Sequence, residues 1–118
     1  MFEVNLPWPP TVNHYWGVRG LRRYLTKRAK DFRQDVIDVC DNSECIYPTQ
    51  RLSLHLKLFM PDNRRRDIDN VSKGILDSLA YAGCYNDDCQ IYQLFIEKVD
   101  KTAHGLPNGG VKACIKPV

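Results

Sequence analysis

Acidic and basic side chains are concentrated in the stretch 61–88. The run Arg64-Arg65-Arg66 precedes two aspartates one residue apart, Asp67 and Asp69, and the acidic pair Asp87-Asp88 follows later. Carboxylates bind hard divalent cations such as Mg²⁺, whereas the planar, permanently charged guanidinium binds phosphate. A site that combines them can bind a phosphodiester and hold the metal that hydrolyses it.

The spacing of these residues suggests a set of roles. Asp67 and Asp69 are expected to be metal ligands together with one of Asp87 and Asp88, because adjacent residues of an extended chain point in opposite directions. Lys73 is placed to offset charge that builds on the phosphate or the leaving oxygen. Structural explanations stay open: Asp69 as a helix N-cap, residues 87–88 as a polar turn, and the arginines as a solvated run.

Apolar periodicity gives the elements that must position these residues. Strands are expected at 2–6, 51–60, 90–99 and about 111–116, and helices at 26–41 and from Asp69 or Asn70 to Tyr81. The order β-α-β-α-β-β indicates an α/β (mixed α+β) fold, one small domain over 1–118 with a mixed sheet and two helices.

Three segments have the amino-acid composition of loops that connect helices and strands. Residues 7–25 are expected to form a long loop, and a turn is expected around Asn42-Ser43 and Pro48. Residues 101–110 end in Asn108-Gly109-Gly110, a hairpin-type signal. Gly83 is expected to end the second helix as its C′ residue.

The second helix poses a geometric problem for the metal site. A helix of about 13 residues spans roughly 20 Å, so Asp69 and the Asp87-Asp88 pair lie at its opposite ends. A single site then requires either that the chain folds back or that a second copy of the protein supplies part of the site.

Charge and composition restrict the function classes. The 118 residues are 43% hydrophobic and carry a net charge of +3, but no acidic residue lies between Val4 and Lys30. Basic and aromatic residues interleaved there suit nucleic acid, although a solvated surface and tryptophans covering the core edge are alternatives. We expect a cytoplasmic protein without membrane segments, because no apolar run approaches about 20 residues and no signal-peptide pattern begins the chain.

The chain has five cysteines. An odd number without a secretory signal indicates free thiols. Two pairs have the spacing C-x4-C, which leaves a zinc site as an alternative, but packing as small hydrophobic residues is the expected role. The cysteines are Cys40, Cys45, Cys84, Cys89 and Cys114.

Two motifs resemble those of the RusA family of Holliday junction resolvases. One is the string PDNRRRDIDN from Pro61 to Asn70, followed by Lys73, Asp77, Gly83 and Asp87-Asp88-x-Gln90. The other is Leu6-Pro7-Trp8-Pro9-Pro10, followed by Asn13 and Tyr15. The resemblance covers nearly the whole chain. It implies a bacterial, phage or prophage homodimer that acts in DNA recombination and repair. Such a dimer binds four-way DNA junctions and nicks two opposed strands with Mg²⁺, for which Mn²⁺ can substitute.

The resemblance also assigns residues. It implies Asp67, Asp69 and Asp88 as catalytic metal ligands, with Asp88 preferred to Asp87 because its separation from Asp69 matches the family pattern. It implies Lys73 as the essential lysine. The expected contacts to DNA phosphates are Arg64, Arg65 and Arg66, and the N-terminal basic segment and motif add Arg22, Arg23, Lys27 and Asn13.

Asn63 departs from the family pattern, which has another basic residue there, so weaker junction affinity is expected. Two other functions are compatible with the residues. A non-catalytic junction-binding protein would need the arginines but not the carboxylates, and a small metal-dependent nucleotide hydrolase would need neither a junction nor a dimer.

Overall fold

A four-stranded mixed sheet forms the centre of the computed structural model, which describes residues 1–41 and 44–118. The strands of this sheet are β1 (Phe2–Leu6), β4 (Leu52–Phe59), β5 (Ile91–Val99) and β6 (Gly110–Pro117). The three α-helices are α1 (Val12–Tyr15), α2 (Lys27–Cys40) and α3 (Asp69–Tyr81). A separate two-stranded hairpin is formed by β2 (Trp16–Arg19) and β3 (Arg22–Leu25). The mixed α/β fold predicted from the sequence is confirmed.

The leucines of β4 form the middle of the hydrophobic core. β4 lies between β5, which is parallel to it, and β6, which is antiparallel, in the sheet order β1-β6-β4-β5. Strand periodicity directs alternate residues to one face, and Leu52, Leu54, Leu56 and Leu58 are all buried there. They pack in one cluster with apolar residues of α2 and α3, such as Val36 and Ile75.

The expected end of α3 is confirmed at Gly83. This glycine has φ +86°, a left-handed conformation that a residue without Cβ adopts at low cost. The Cys84 N–H donates to the Leu79 carbonyl at 3.0 Å, and the Gly83 N–H donates to the Ala80 carbonyl at 3.1 Å. These two bonds are those of a Schellman motif, which satisfies carbonyls that the helix leaves unpaired.

Residues 7–25 do not form the single long loop that was expected. They contain α1 and the β2–β3 hairpin, whose last pair is Arg19 with Arg22 across the two-residue turn Gly20-Leu21. Gly20 has φ +64°, as the first central position of a type II′ hairpin turn requires. The hairpin was missed because its strands are rich in arginine and lack an alternating apolar face.

Two further predictions about local structure are wrong. Ile68 is the N-cap of α3 and Asp69 lies in the first turn, so Asp69 is not a capping residue. β5 and β6 are not neighbours, because β4 lies between them, so the signal Asn108-Gly109-Gly110 does not mark a hairpin of adjacent strands. The turn predicted around Asn42-Ser43 lies outside the described residues.

Two cysteines that are distant in the sequence contact each other in the structure. Cys40, at the end of α2, and Cys84, after α3, are buried with their Sγ atoms 3.6 Å apart. The C-x4-C spacing would instead have paired Cys40 with Cys45. In the described part of the chain no three Cys, His, Asp or Glu side chains converge as metal ligands. Cys40 and Cys84 both belong to the hydrophobic core cluster, as expected of thiols that pack as small hydrophobic side chains.

Candidate active site

The loop between β4 and α3 is organised by Asp62. Its carboxylate accepts a hydrogen bond from the Arg64 backbone N–H at 3.0 Å and one from the Arg66 guanidinium at 2.7 Å. The Arg66 guanidinium, followed by the Arg64 backbone N–H, holds the pKa of Asp62 below its usual value. Arg66 also lies over the ring of Trp8, 5.7 Å from its centroid. Arg66 therefore stabilises this loop.

Beside this loop is a basic cavity of about 250 Å³, at the carboxyl ends of β4 and β5. Ligands of open α/β sheets commonly bind at this end of the strands. Arg64 and Arg65 line the cavity together with Lys98 and Lys101. The Arg64 side chain is 82% exposed, so its guanidinium is accessible to an anion. This charge and size suit the phosphates of a nucleic acid backbone.

Asp67, Asp69 and Lys73 continue from the cavity into the first turns of α3. All three are exposed, and neither aspartate forms an ion pair with a described basic residue. The Lys73 Nζ atom lies 5.8 Å from the centroid of the Trp16 ring, at the base of the β2–β3 hairpin. Asp67 lies just before α3, and Asp69 and Lys73 lie in its first turns. The chain that follows the arginine-lined loop thus carries two carboxylates without ion pairs and a lysine.

Asp87 and Asp88 have different surroundings. Asp87 caps the 3-10 turn Asp88–Gln90: its carboxylate accepts from the Cys89 N–H at 2.9 Å, and the Gln90 side chain accepts from the Asp87 N–H at 3.0 Å. The Cys89 N–H, which donates to the Asp87 carboxylate, lowers the pKa of Asp87. The exposed Asp88 carboxylate forms no ion pair within residues 1–41 and 44–118. Of the two, Asp88 is the one available to a ligand.

The acidic groups of one chain lie at opposite ends of the sheet. Asp88 directly precedes β5, whereas Asp67 and Asp69 follow β4, which is parallel to β5. A strand of nine residues spans about 30 Å. Accordingly, no group of three potential metal ligands is present among the described residues. The carboxylates are the correct donors for Mg²⁺, but one chain does not bring Asp67, Asp69 and Asp88 together.

The comparisons with known proteins identify the family. The family model described as endodeoxyribonuclease RusA matches residues 7–107. This chain belongs to the RusA family. It is 39% identical over 90 residues to the crossover junction endodeoxyribonuclease rusA of Enterobacteria phage HK97, with 75% of each chain covered. It is 30% identical over 105 residues to crossover junction endodeoxyribonucleases RusA of Shigella sonnei and Escherichia coli K12, with 88% of each chain covered.

The RusA family match spans every site residue predicted from the sequence, from Asn13 to Asp88. The structure brings some of them together and separates others. Arg64 and Arg65 share the basic cavity, and Lys73 lies against the hairpin that carries Arg22 and Arg23. Asn13 is exposed on α1. Lys27 is exposed on α2 and forms an ion pair with Asp31 at 3.1 Å.

Sequence reasoning missed several residues near the cavity and the hairpin. Lys98 and Lys101 line the cavity, and the Lys98 Nζ donates to the Arg66 carbonyl at 2.9 Å. Nothing in the sequence specified that β5 runs parallel to β4, which is what brings Lys98 to the loop. Trp16 was noticed as an aromatic residue in a basic segment, but its position beside Lys73 depends on the unpredicted hairpin.

A partly buried polar network holds Tyr15, the residue directly before that hairpin, in place. The Tyr15 hydroxyl donates to the Asp77 carboxylate at 2.8 Å and lies 2.8 Å from the Ser78 Oγ. The Arg33 guanidinium donates to both Asp77 and the Tyr15 oxygen. Burial raises the pKa of the Tyr15 hydroxyl. Asp77 of the family motif therefore has a structural partner.

No helix in the described residues is long and apolar enough to cross a membrane.

Proposed function

We propose that this chain is an endodeoxyribonuclease that resolves four-way DNA junctions by paired, metal-dependent hydrolysis of phosphodiester bonds. The observation that carries this proposal is that Asp67, Asp69 and Asp88 are exposed and form no ion pair among the described residues of a RusA-family chain. The nearby Asp62, Asp77 and Asp87 instead have hydrogen-bond partners within the protein. Carboxylates left without a partner are costly beside phosphates, unless a cation is bound between them.

We propose the following roles for the residues, and their positions support these roles. Arg64 and Arg65 bind the DNA backbone in the basic cavity. Asp67, Asp69 and Asp88 hold Mg²⁺, which Mn²⁺ can replace. The bound ion supplies Lewis-acid activation of the scissile phosphate and of the attacking water. Lys73, one helical turn after Asp69, stabilises the charge that develops on the phosphate or on the leaving oxygen.

A homodimer would bring together carboxylates that lie far apart in one chain. β5 is an edge of the sheet, and it exposes Tyr92, Leu94 and Phe95, with 61%, 45% and 60% of their surfaces accessible. A long edge strand with exposed apolar side chains is a template for pairing with another strand. In a two-fold symmetric dimer the same surface of each copy forms the interface, so β5 of one copy would contact β5 of the other. These features support the proposal that β5 of a second copy pairs antiparallel with this edge.

Antiparallel pairing moves Asp88 to the correct end of the sheet. With the axis near Phe95, Asp88 of one copy lies opposite Thr102 of the other, and Thr102 lines the basic cavity. Each site would then take Asp67 and Asp69 from one subunit and Asp88 from its partner. The two equivalent sites of the dimer provide the two cuts that resolution of a junction requires.

The test is cleavage of a labelled four-way junction by the wild-type protein and by Asp69→Asn, each with Mg²⁺, with Mn²⁺ and with EDTA. We expect cuts in two opposed strands only with a divalent ion, and a loss of at least about a thousandfold in Asp69→Asn. Binding in EDTA should persist or tighten, because a negative charge beside phosphate is removed. Asp35→Asn, an exposed acidic residue on α2, is the matched control and should cut like wild type.

Other results would contradict the proposal. Wild-type cleavage by Asp69→Asn would exclude Asp69 as an essential ligand. Tight junction binding without cleavage under either ion would show a non-catalytic binding protein. Hydrolysis of free nucleotides, with no preference for the junction over linear duplex, would show a nucleotide hydrolase instead.

A further inference from the structure

The β2–β3 hairpin, residues 16–25, forms an arm that ends in an apolar tip. Its base is closed by the Thr26 N–H, which donates to the Tyr15 carbonyl at 3.1 Å. Its tip is the turn Gly20-Leu21, and the Leu21 side chain is fully exposed. A single exposed leucine is ordinary on protein surfaces. The charge and position of the residues around Leu21 make this one different.

The arm is purely cationic. It carries Arg19, Arg22 and Arg23 and no acidic residue. The Arg19 guanidinium lies 5.8 Å from the centroid of the Tyr24 ring, and that of Arg23 lies 5.0 Å from the centroid of the Trp16 ring. Cation–π contacts orient the arginines along the arm without neutralising them. The complementary partner of such a surface is a polyanion.

The arm is also connected to the proposed catalytic residues. Trp16 at its base is the residue that lies 5.8 Å from Lys73 Nζ. A strand of four residues extends about 13 Å, so the tip lies about that far from Trp16 at the base of the arm. This distance corresponds to about four base-pair steps of 3.4 Å. Leu21 can therefore reach the branch point of a junction that is cut near it.

We propose that Leu21 is a wedge that enters a base step at the branch point while Arg19, Arg22 and Arg23 bind the flanking phosphates. This inference rests on the proposed junction-resolving function. Apolar side chains inserted between base steps unstack them at a cost of a few kcal/mol. That cost is lowest where bases are already unpaired or poorly stacked. Leu21 thus favours a branch point over a continuous duplex, and it contributes to selectivity for the substrate.

The experiment measures binding in EDTA, where no cleavage occurs, to a four-way junction and to a linear duplex. Each DNA carries 2-aminopurine, whose fluorescence rises on unstacking, beside the branch point or at the matching duplex position. We expect Leu21→Ser to weaken junction binding by about tenfold and to change duplex binding by less than about twofold. It should also abolish the rise in fluorescence. Leu21→Phe should restore both properties, because it keeps an apolar wedge.

Leu106→Ser is the matched control, since Leu106 is an exposed leucine outside the arm; it should behave like wild type. Leu21→Ser should keep the wild-type melting temperature because its side chain is fully exposed.

Two patterns would overturn the inference. One is unchanged junction binding and fluorescence in Leu21→Ser, and the other is an equal loss of affinity for junction and duplex. If wild type cuts junctions while Leu21→Ser binds them normally, only the wedge fails. If wild type never cuts, yet Leu21→Ser selectively loses junction binding, the nuclease proposal fails and the wedge stands.

Discussion

The six aspartates between residues 61 and 88 differ in what they contact. Three have protein partners that stabilise loops or helices, and these are Asp62, Asp77 and Asp87. The other three form no ion pair among the described residues, and these are Asp67, Asp69 and Asp88. Replacing an aspartate that stabilises the fold should lower the stability of the protein. Replacing an aspartate that only binds a metal should lower the activity and leave the stability unchanged.

Asp87 and Asp88 allow a direct comparison of these two kinds of aspartate. We expect Asp88→Asn to lower junction cleavage by at least about a thousandfold while the melting temperature stays at the wild-type value. Asp87→Asn should keep both cleavage and stability, because asparagine caps a helix nearly as well as aspartate. Asp87→Ala, which removes the cap, should lower the melting temperature. The measurements are junction cleavage with Mg²⁺ and thermal unfolding followed by circular dichroism.

If Asp87→Asn were inactive and Asp88→Asn active, the assignment of the metal ligand would have to be exchanged between the two residues.

At the scale of elements, close contact between α3 and Tyr15 positions the hairpin arm beside Lys73. Gly74 lies where α3 meets the Tyr15 ring, and a Cβ at this position would lie 2.9 Å from Tyr15 Cδ2. Tyr15 is fully buried and its hydroxyl is held by Asp77 and Ser78, so the ring cannot move aside at low cost. The glycine is therefore required by packing, although it lowers the intrinsic stability of the helix.

We expect Gly74→Ala to reduce the free energy of unfolding by about 1–3 kcal/mol, because the overpacking outweighs the gain in helix propensity. Urea denaturation gives this value. Gly105→Ala is the matched control, since a Cβ at Gly105 meets no atom within 4 Å, and it should be neutral within about 0.5 kcal/mol. A stabilised Gly74→Ala protein would show that Tyr15 can move away from α3.

Strong periodicity made most of the elements predictable. β4 alternates leucines over its whole length, and α3 has both an apolar stripe and a glycine stop, so their bounds were found to within a residue or two. The arm could not be found in this way, because its strands are held by pairing with each other and by Tyr15 rather than by an apolar face. The turn Gly20-Leu21 was its only local signal.

The sequence indicated the residue types of the proposed site but not their arrangement in space. Carboxylates beside arginines in sequence indicated a metal and phosphate site, since that chemistry depends on residue type alone. The parallel pairing of β4 with β5 decides that Lys98 joins the arginines and that Asp88 lies at the far end. Strand order and direction depend on long-range pairing, which local sequence does not specify.

At the scale of the whole molecule, shared sites would make the dimer necessary for catalysis. Mixing two inactive variants tests this directly. In a heterodimer of Asp69→Asn and Asp88→Asn subunits, one site carries both changes and the other carries neither, provided that each site takes Asp69 and Asp88 from different subunits. If each site came from one chain, both sites of that heterodimer would carry a change.

We therefore expect co-refolded Asp69→Asn and Asp88→Asn proteins to regain cleavage to about a quarter of the wild-type rate, since half of the dimers are mixed and each has one intact site. The products should be single nicks rather than paired cuts. The matched control is a mixture of Asp67→Asn and Asp69→Asn, which change the same side of the site and should stay inactive. If the first mixture also stays inactive although mass spectrometry detects heterodimers, Asp88 does not act across the dimer, and the pairing of β5 with its own copy loses its functional basis.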